Sequence, residues 1–180
     1  MERVIKPGPR RGLVLVYTGN GKGKTTASLG LMFRALGRDF KVAMLQFIKS
    51  KKHKYGEHLM AERLGVEIVP LGDGFTWESK DIEQDKKLAM ECWKICRDCI
   101  VAGKHDIVIL DELTYAVKYG WLPVEEVLSV LKARKPDMHV VITGRDAPQE
   151  IVDYADLVSE IREIKHPMKK GIRAQLGIEM

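Results

Sequence analysis

Five short runs, LVLVY (13–17), VAMLQF (42–47), VEIVPL (66–71), DIVILD (106–111) and HVVITG (139–144), are mostly apolar on both alternating faces. A strand with two apolar faces must be covered on both, which is how the strands of a parallel sheet between helical layers read. A sixth run, LVSEIREI (157–164), is more mixed and suits an edge strand. Helical periodicity fills the intervals. Residues 25–36 form one helix with Gly37 expected at its C′ position, and residues 82–101 form a longer one that Asp81 and Gln84 would open as a capping box. Pro123 opens a helix over 124–133, and Asp146 with Gln149 is expected to cap another reaching about Ala155. Strand and helix in alternation predict a doubly wound α/β domain with its ligands at the carboxyl ends of the strands.

A chain of 180 residues with 45% apolar content supports one core, so residues 12–180 are expected to form one domain behind a flexible basic leader, 1–11. No run approaches the roughly eighteen apolar residues of a membrane span, and the leader has no apolar signal core, so a cytoplasmic protein without a membrane partner is expected. The net charge of +5 permits a polyanionic partner. Its densest cluster, KSKKHK (49–54), reads as a solvated loop and lacks the interleaved aromatics that would stack bases.

The segment TGNGKGKTT (18–26) joins the first strand to the first helix. It resembles the phosphate-binding pattern G-x-x-x-x-G-K-[ST] but is one residue short. Only Asn20, Gly21 and Lys22 separate Gly19 from Gly23, and Thr18 stands where the first glycine belongs. Three glycines let the chain curl so that backbone N–H groups of residues 21–25 can converge on phosphate, aided by the positive end of the helix. Lys24 would touch phosphate oxygens, and Thr25 would offer its hydroxyl to a phosphate-bound Mg²⁺. The second half of such a site is an acidic residue ending another apolar strand, and IVILDE supplies Asp111 and Glu112.

Cys92, Cys96 and Cys99 have the C-x3-C-x2-C spacing of three thiolates around an iron–sulfur cluster. On a continuous helix the outer pair would be about 10 Å apart along the axis, and all three fall on its apolar face, where cysteine behaves as a small hydrophobe. The histidines at 53, 58, 105, 139 and 166 show no metal-ligand spacing. Phe75 and Trp77 stand in the polar loop GDGFTWES (72–79), either anchoring it to the core or forming a wall for a large flat ligand.

Taken with QFIK (46–49), GE (56–57), GFTWE (74–78), VILDELTY (108–115), ITGR (142–145), ADLVSE (155–160) and GIRAQLGIE (171–179), the short loop makes the chain resemble the P-loop type of ATP:corrinoid adenosyltransferases. The resemblance runs from Gly12 to the C-terminus and implies a P-loop NTPase-like, RecA-like, mostly parallel sheet of about six strands with helices on both faces. It implies that ATP lies in the reverse sense from ordinary P-loop enzymes, presenting C5′ to the Co(I) of a reduced corrinoid and releasing triphosphate. By the same resemblance ATP contacts Gly19, Asn20, Gly21, Lys22, Gly23, Lys24, Thr25, Thr26 and Arg145. Lys24, Thr25 and Glu112 serve the leaving group. Mg²⁺ or Mn²⁺ sits on Thr25 and Glu112, with Asp111 a further candidate. Phe75 and Trp77 close over the lower face of the corrin. A homodimer and an electron donor such as a reduced flavoprotein are also implied, and nucleic acid is not. The competing readings are a small-molecule kinase or ATPase, and a RecA-like nucleic-acid-binding ATPase.

Overall fold

The computed structural model describes residues 8–72 and 82–179. Asp81, Phe75 and Trp77 lie outside them. Six strands, β1 (Val14–Thr18), β2 (Val42–Ser50), β3 (Glu67–Gly72), β4 (Ile107–Asp111), β5 (His139–Thr143) and β6 (Leu157–Glu160), form one sheet in the order β3-β2-β4-β5-β1-β6. Every pairing is parallel. Among the described residues six α-helices connect them: α1 (Lys24–Leu36), α2 (Gly56–Leu64), α3 (Ile82–Ala102), α4 (Leu113–Lys118), α5 (Val124–Ala133) and α6 (Gln149–Tyr154).

The doubly apolar strand pattern is used on both faces. Val14, Val16, Leu45, Val108, Leu110, Val140 and Ile142 pack with α3, α4, α5 and α6, whereas Leu15, Met44, Ile107, Ile109 and Val141 face Met32 and Ala35 of α1. Trp93 of α3 is 1% exposed and still satisfies its indole, since Nε1 donates to Glu126 Oε1 of α5 at 2.7 Å. β5 separates the loop-bearing β1 from β4, so the acidic pair ending β4 is not on a neighbouring strand of the loop. Among the described residues no helix is long and apolar enough to cross a membrane.

Several local expectations change. Gly37 keeps a right-handed φ of −66°, and the chain turns instead at Asp39, φ 58°. Asp146 does not cap α6. Pro148 precedes that helix, while the Asp146 carboxylate, at φ 50°, accepts from Lys118 Nζ at 2.7 Å. β6 ends at Glu160 rather than near 164, and α2 and α4 arise where no element was expected. The basic segment is not wholly a solvated loop, because Lys49 and Ser50 belong to β2 and Ser50 is buried. Within the leader, Arg10 pairs with Asp106 at 2.5 Å and lies over the Phe40 ring, and Arg11 pairs with Asp156 at 3.3 Å.

α3 is one continuous helix, with Cys92 and Cys96 buried and Cys99 half-buried against the core. Burial pushes the thiols of Cys92 and Cys99 up to about 11 and that of Cys96 well above its ordinary value. Such thiols are poor sources of the thiolate that a cluster requires.

Candidate functional site

The carboxyl ends of β1, β2, β4 and β5 meet at one edge of the sheet, and each delivers polar side chains there. After β1, Gly19 and Gly23 take left-handed φ of 96° and 119°. The turn is also pressed against residues beyond β6. A Cβ on Gly19 would lie 2.5 Å from the Ile161 carbonyl oxygen, and one on Gly21 would lie 2.6 Å from that of Arg162. The Gly21 N–H is used here, donating to the Ile161 carbonyl at 2.7 Å, so it is not free to converge on a phosphate as the loop alone suggests. Thr18 accepts the Ala147 N–H on its hydroxyl at 3.1 Å, tying the loop to the segment after β5. Asn20 and Thr26 are exposed, and Lys22 pairs at 3.1 Å with Glu179 from the C-terminal segment.

Lys24 is buried, and its Nζ donates to the carbonyls of Gly19 and Gly21, both at 2.8 Å. Burial lowers its pKa against the pull of Glu112, and Arg145 lowers it further. The ammonium is thus stored on loop carbonyls within reach of the acidic pair. Thr25 Oγ1 donates to Asp111 Oδ1 at 3.0 Å, which leaves its lone pairs for a cation.

Asp111 is fully buried and accepts three hydrogen bonds: Thr25 Oγ1, Thr143 Oγ1 at 2.7 Å, and Gln46 Nε2 at 3.2 Å. Glu112 holds a left-handed φ of 63°, and its N–H donates to Thr143 Oγ1 at 3.0 Å. A non-glycine residue in that region is strained, and such strain concentrates at functional sites. Among the described residues, Glu112 Oε2 is the buried side-chain polar atom without a hydrogen-bond partner. Burial, then the neighbouring Asp111, pushes its carboxyl up to about 7, opposed by Lys24, Arg145 and Lys49.

An unpartnered carboxylate oxygen on Glu112, with the neighbouring Asp111 carboxylate and the threonine hydroxyl bonded to it, is an all-oxygen donor set, which fits Mg²⁺ or Mn²⁺. Among the described residues no three His, Cys, Asp or Glu side chains cluster to hold a metal. That is compatible with Mg²⁺, which commonly uses one or two carboxylates together with substrate phosphates and water.

The structure therefore brings Gly19, Gly21, Gly23, Lys24, Thr25, Asp111 and Glu112 together. Arg145 is exposed just after β5, near enough to act electrostatically on Lys24 and Glu112. It also adds residues that went unassigned. Lys49 pairs with Glu57, lies 4.4 Å from the Tyr55 ring centroid, and feels both Asp111 and Glu112, while burial lowers its pKa. Gln46, Thr143 and His58 belong to the hydrogen-bond network. The available signal was a polar residue at the carboxyl end of an apolar strand, which marks Gln46, Asp111 and Thr143 alike.

The family model described as "ATP:corrinoid adenosyltransferase BtuR/CobO/CobP" matches residues 10–180. The Corrinoid adenosyltransferase CobA of Salmonella typhimurium is 44% identical over 177 residues, covering 98% of this chain and 90% of its own. The Corrinoid adenosyltransferase of Pseudomonas aeruginosa is 39% identical over 180 residues, covering 99% of this chain and 88% of its own. The flagellar accessory protein FlaH from Methanocaldococcus jannaschii superposes with a TM-score of 0.57 at 12% identity, covering 85% of this chain and 72% of that one, a likeness of fold alone. With nearly its whole length matched by the family model and by relatives of this identity, the chain belongs to the ATP:corrinoid adenosyltransferase family.

Proposed function

We propose that this protein transfers the 5′-deoxyadenosyl group of ATP to the Co(I) of a reduced corrinoid. The cobalt electron pair attacks C5′, the C5′–O bond breaks, and its electrons leave with inorganic triphosphate, so that cobalt becomes formally Co(III). The observation that carries the reading is Glu112, whose Oε2 is buried and unpartnered and whose carboxyl feels the charge of Lys24, in a chain matched nearly throughout by this family.

The nucleophile is the substrate's own reduced metal, so the protein has to position ATP and stabilise a polyanionic leaving group. Lys24 leaves the Gly19 and Gly21 carbonyls to reach the triphosphate, and Lys49 and Arg145 add positive charge at the same edge. Thr25 and Glu112, with Asp111, would hold Mg²⁺ or Mn²⁺. When bound, the ion neutralises leaving-group charge. The crowding of Gly19 and Gly21 by Ile161 and Arg162 supports a triphosphate seated differently from that in an ordinary loop. Phe75 and Trp77 are assigned to the lower corrin face, where apolar walls would exclude water from Co(I). A cytoplasmic homodimer, supplied with electrons by a reduced flavoprotein and without nucleic-acid or membrane partners, completes the reading.

The test is anaerobic incubation with Mg-ATP and chemically reduced cob(I)alamin, following the visible spectrum and the phosphate product. Adenosylcobalamin with stoichiometric triphosphate is expected. An unchanged spectrum with ADP appearing would replace this reading with a phosphoryl-transfer enzyme. Salt-sensitive nucleic-acid binding modulated by ATP would favour a RecA-like module instead.

A further inference from the structure

The Asp111 carboxylate does not end its network at Gln46. Gln46 is 1% exposed, and its Oε1 lies 2.6 Å from Nε2 of His58, itself buried at the start of α2. The other imidazole nitrogen, Nδ1, accepts the Tyr55 N–H at 3.2 Å. An imidazole whose Nδ1 accepts a backbone N–H carries its proton on Nε2, so Nε2 donates to Gln46 Oε1. That bond decides which way round the Gln46 amide lies. With Oε1 held by His58, the NH₂ group faces Asp111 Oδ2. Turned over, the amide would set a carbonyl oxygen against a carboxylate oxygen and an NH₂ against an N–H, leaving buried groups unpaired.

We propose that His58 is a positioning residue for the metal–nucleotide site, acting through Gln46 and Asp111 on the Thr25 hydroxyl. The amide fixes Oδ2, leaving Oδ1 to accept from Thr25 and Thr143. Thr25 then spends its proton on Asp111 and turns its lone pairs outward to the cation. The backbone places His58 for this task, since the extended Tyr55 and the first turn of α2 form a reciprocal cap in which His58 takes part. Partners one bond removed from a metal ligand typically change metal affinity by about 10- to 100-fold when removed, and His58, a further bond away behind Gln46, belongs at the lower end of that range.

The inference rests on the metal assignment above, and its test needs no corrinoid. Mn²⁺ is titrated into the full-length protein with saturating ATP, free Mn²⁺ being read by electron paramagnetic resonance, for wild type, His58→Gln and His58→Asn. Glutamine extends its NH₂ to the place of Nε2, whereas asparagine reaches only the place of Nδ1 and leaves Gln46 Oε1 without a donor. The expected result is Mn²⁺ affinity about tenfold weaker in His58→Asn and close to wild type in His58→Gln, with metal-free ATP binding alike in all three. Equal Mn²⁺ affinity in the two variants, the reverse order, or a matching loss of metal-free ATP binding would overturn the proposal. A wild type without an ATP-dependent Mn²⁺ site would overturn it along with the metal assignment, while adenosyl transfer is judged separately from its triphosphate product.

Discussion

Glu112→Gln should make the metal-free protein more tolerant of alkaline pH while impairing its site. The Glu112 carboxyl rises from 4.5 to about 7 on folding because burial and Asp111 oppose its charge. A group with a raised folded pKa gives its full stabilisation below the unfolded value and loses it as pH climbs through the folded one. Applied to this shift, the linkage relation removes about 1.4 kcal/mol by about pH 5.5 and about 3.4 kcal/mol by about pH 8.5, a further loss of roughly 2 kcal/mol across the window. Glutamine keeps the shape and cannot ionise. The stability of Glu112→Gln relative to wild type should therefore increase by roughly 2 kcal/mol between those two pH values. Urea unfolding followed by tryptophan fluorescence, without nucleotide or metal, measures it, and groups titrating in both proteins cancel in the difference. A difference that stays flat across the window would refute the burial of Glu112 as an uncompensated acid. Mg-ATP favours the ionised carboxylate, so adding it should restore the wild type and leave the variant behind.

Gly144→Ala adds a Cβ 2.0 Å from Thr114 Oγ1 at a φ of 142°, and should cost about 2 kcal/mol or more in urea melts. The double variant with Thr114→Ala, which removes that hydroxyl, should recover part of the loss. Trp93→Phe forfeits both buried volume and the bond to Glu126 Oε1, and should lower stability by about 2 kcal/mol without altering ATP affinity, by calorimetric titration. Trp77→Ala should abolish the fluorescence response of wild type to Co(II) corrinoid plus ATP. An identical response in the two proteins would remove Trp77 from the corrinoid site.

The sheet was legible because burial on both faces leaves mostly Val, Ile and Leu in β1, β4 and β5 and a nearly unbroken apolar run over the first six residues of β2. The loop and the acidic pair were legible because they sit where strands end. α2 was not, since GEHLMAERL leaves Leu59, Met60 and Leu64 about half exposed and offers no clean apolar stripe. α4 begins directly after the strained Glu112, without the cap that normally announces a helix. His58 showed no metal spacing because it works through a glutamine rather than on a metal, a relation fixed by tertiary contact. Lys49 was hidden inside a run of charges, and only the extension of β2 through Ser50 shows that it faces inward while Lys51 and Lys52 do not. Gly37 misled because the left-handed turn falls two positions later at Asp39, and Asp146 misled because it makes a left-handed turn of its own two positions before the N-cap, Pro148.

The contact between Gly21 and Ile161 joins the loop after β1 to a segment that follows β6, about 140 residues later. β1 likewise waits for β5 and β6 on its two sides, since neither neighbour is close in sequence. Pairings of such long range are slow to close and come late in folding. The nucleotide loop precedes these partners by more than a hundred residues, and is thus among the last parts of the molecule to acquire its shape. ATP can reward the finished fold but cannot guide the early chain toward it.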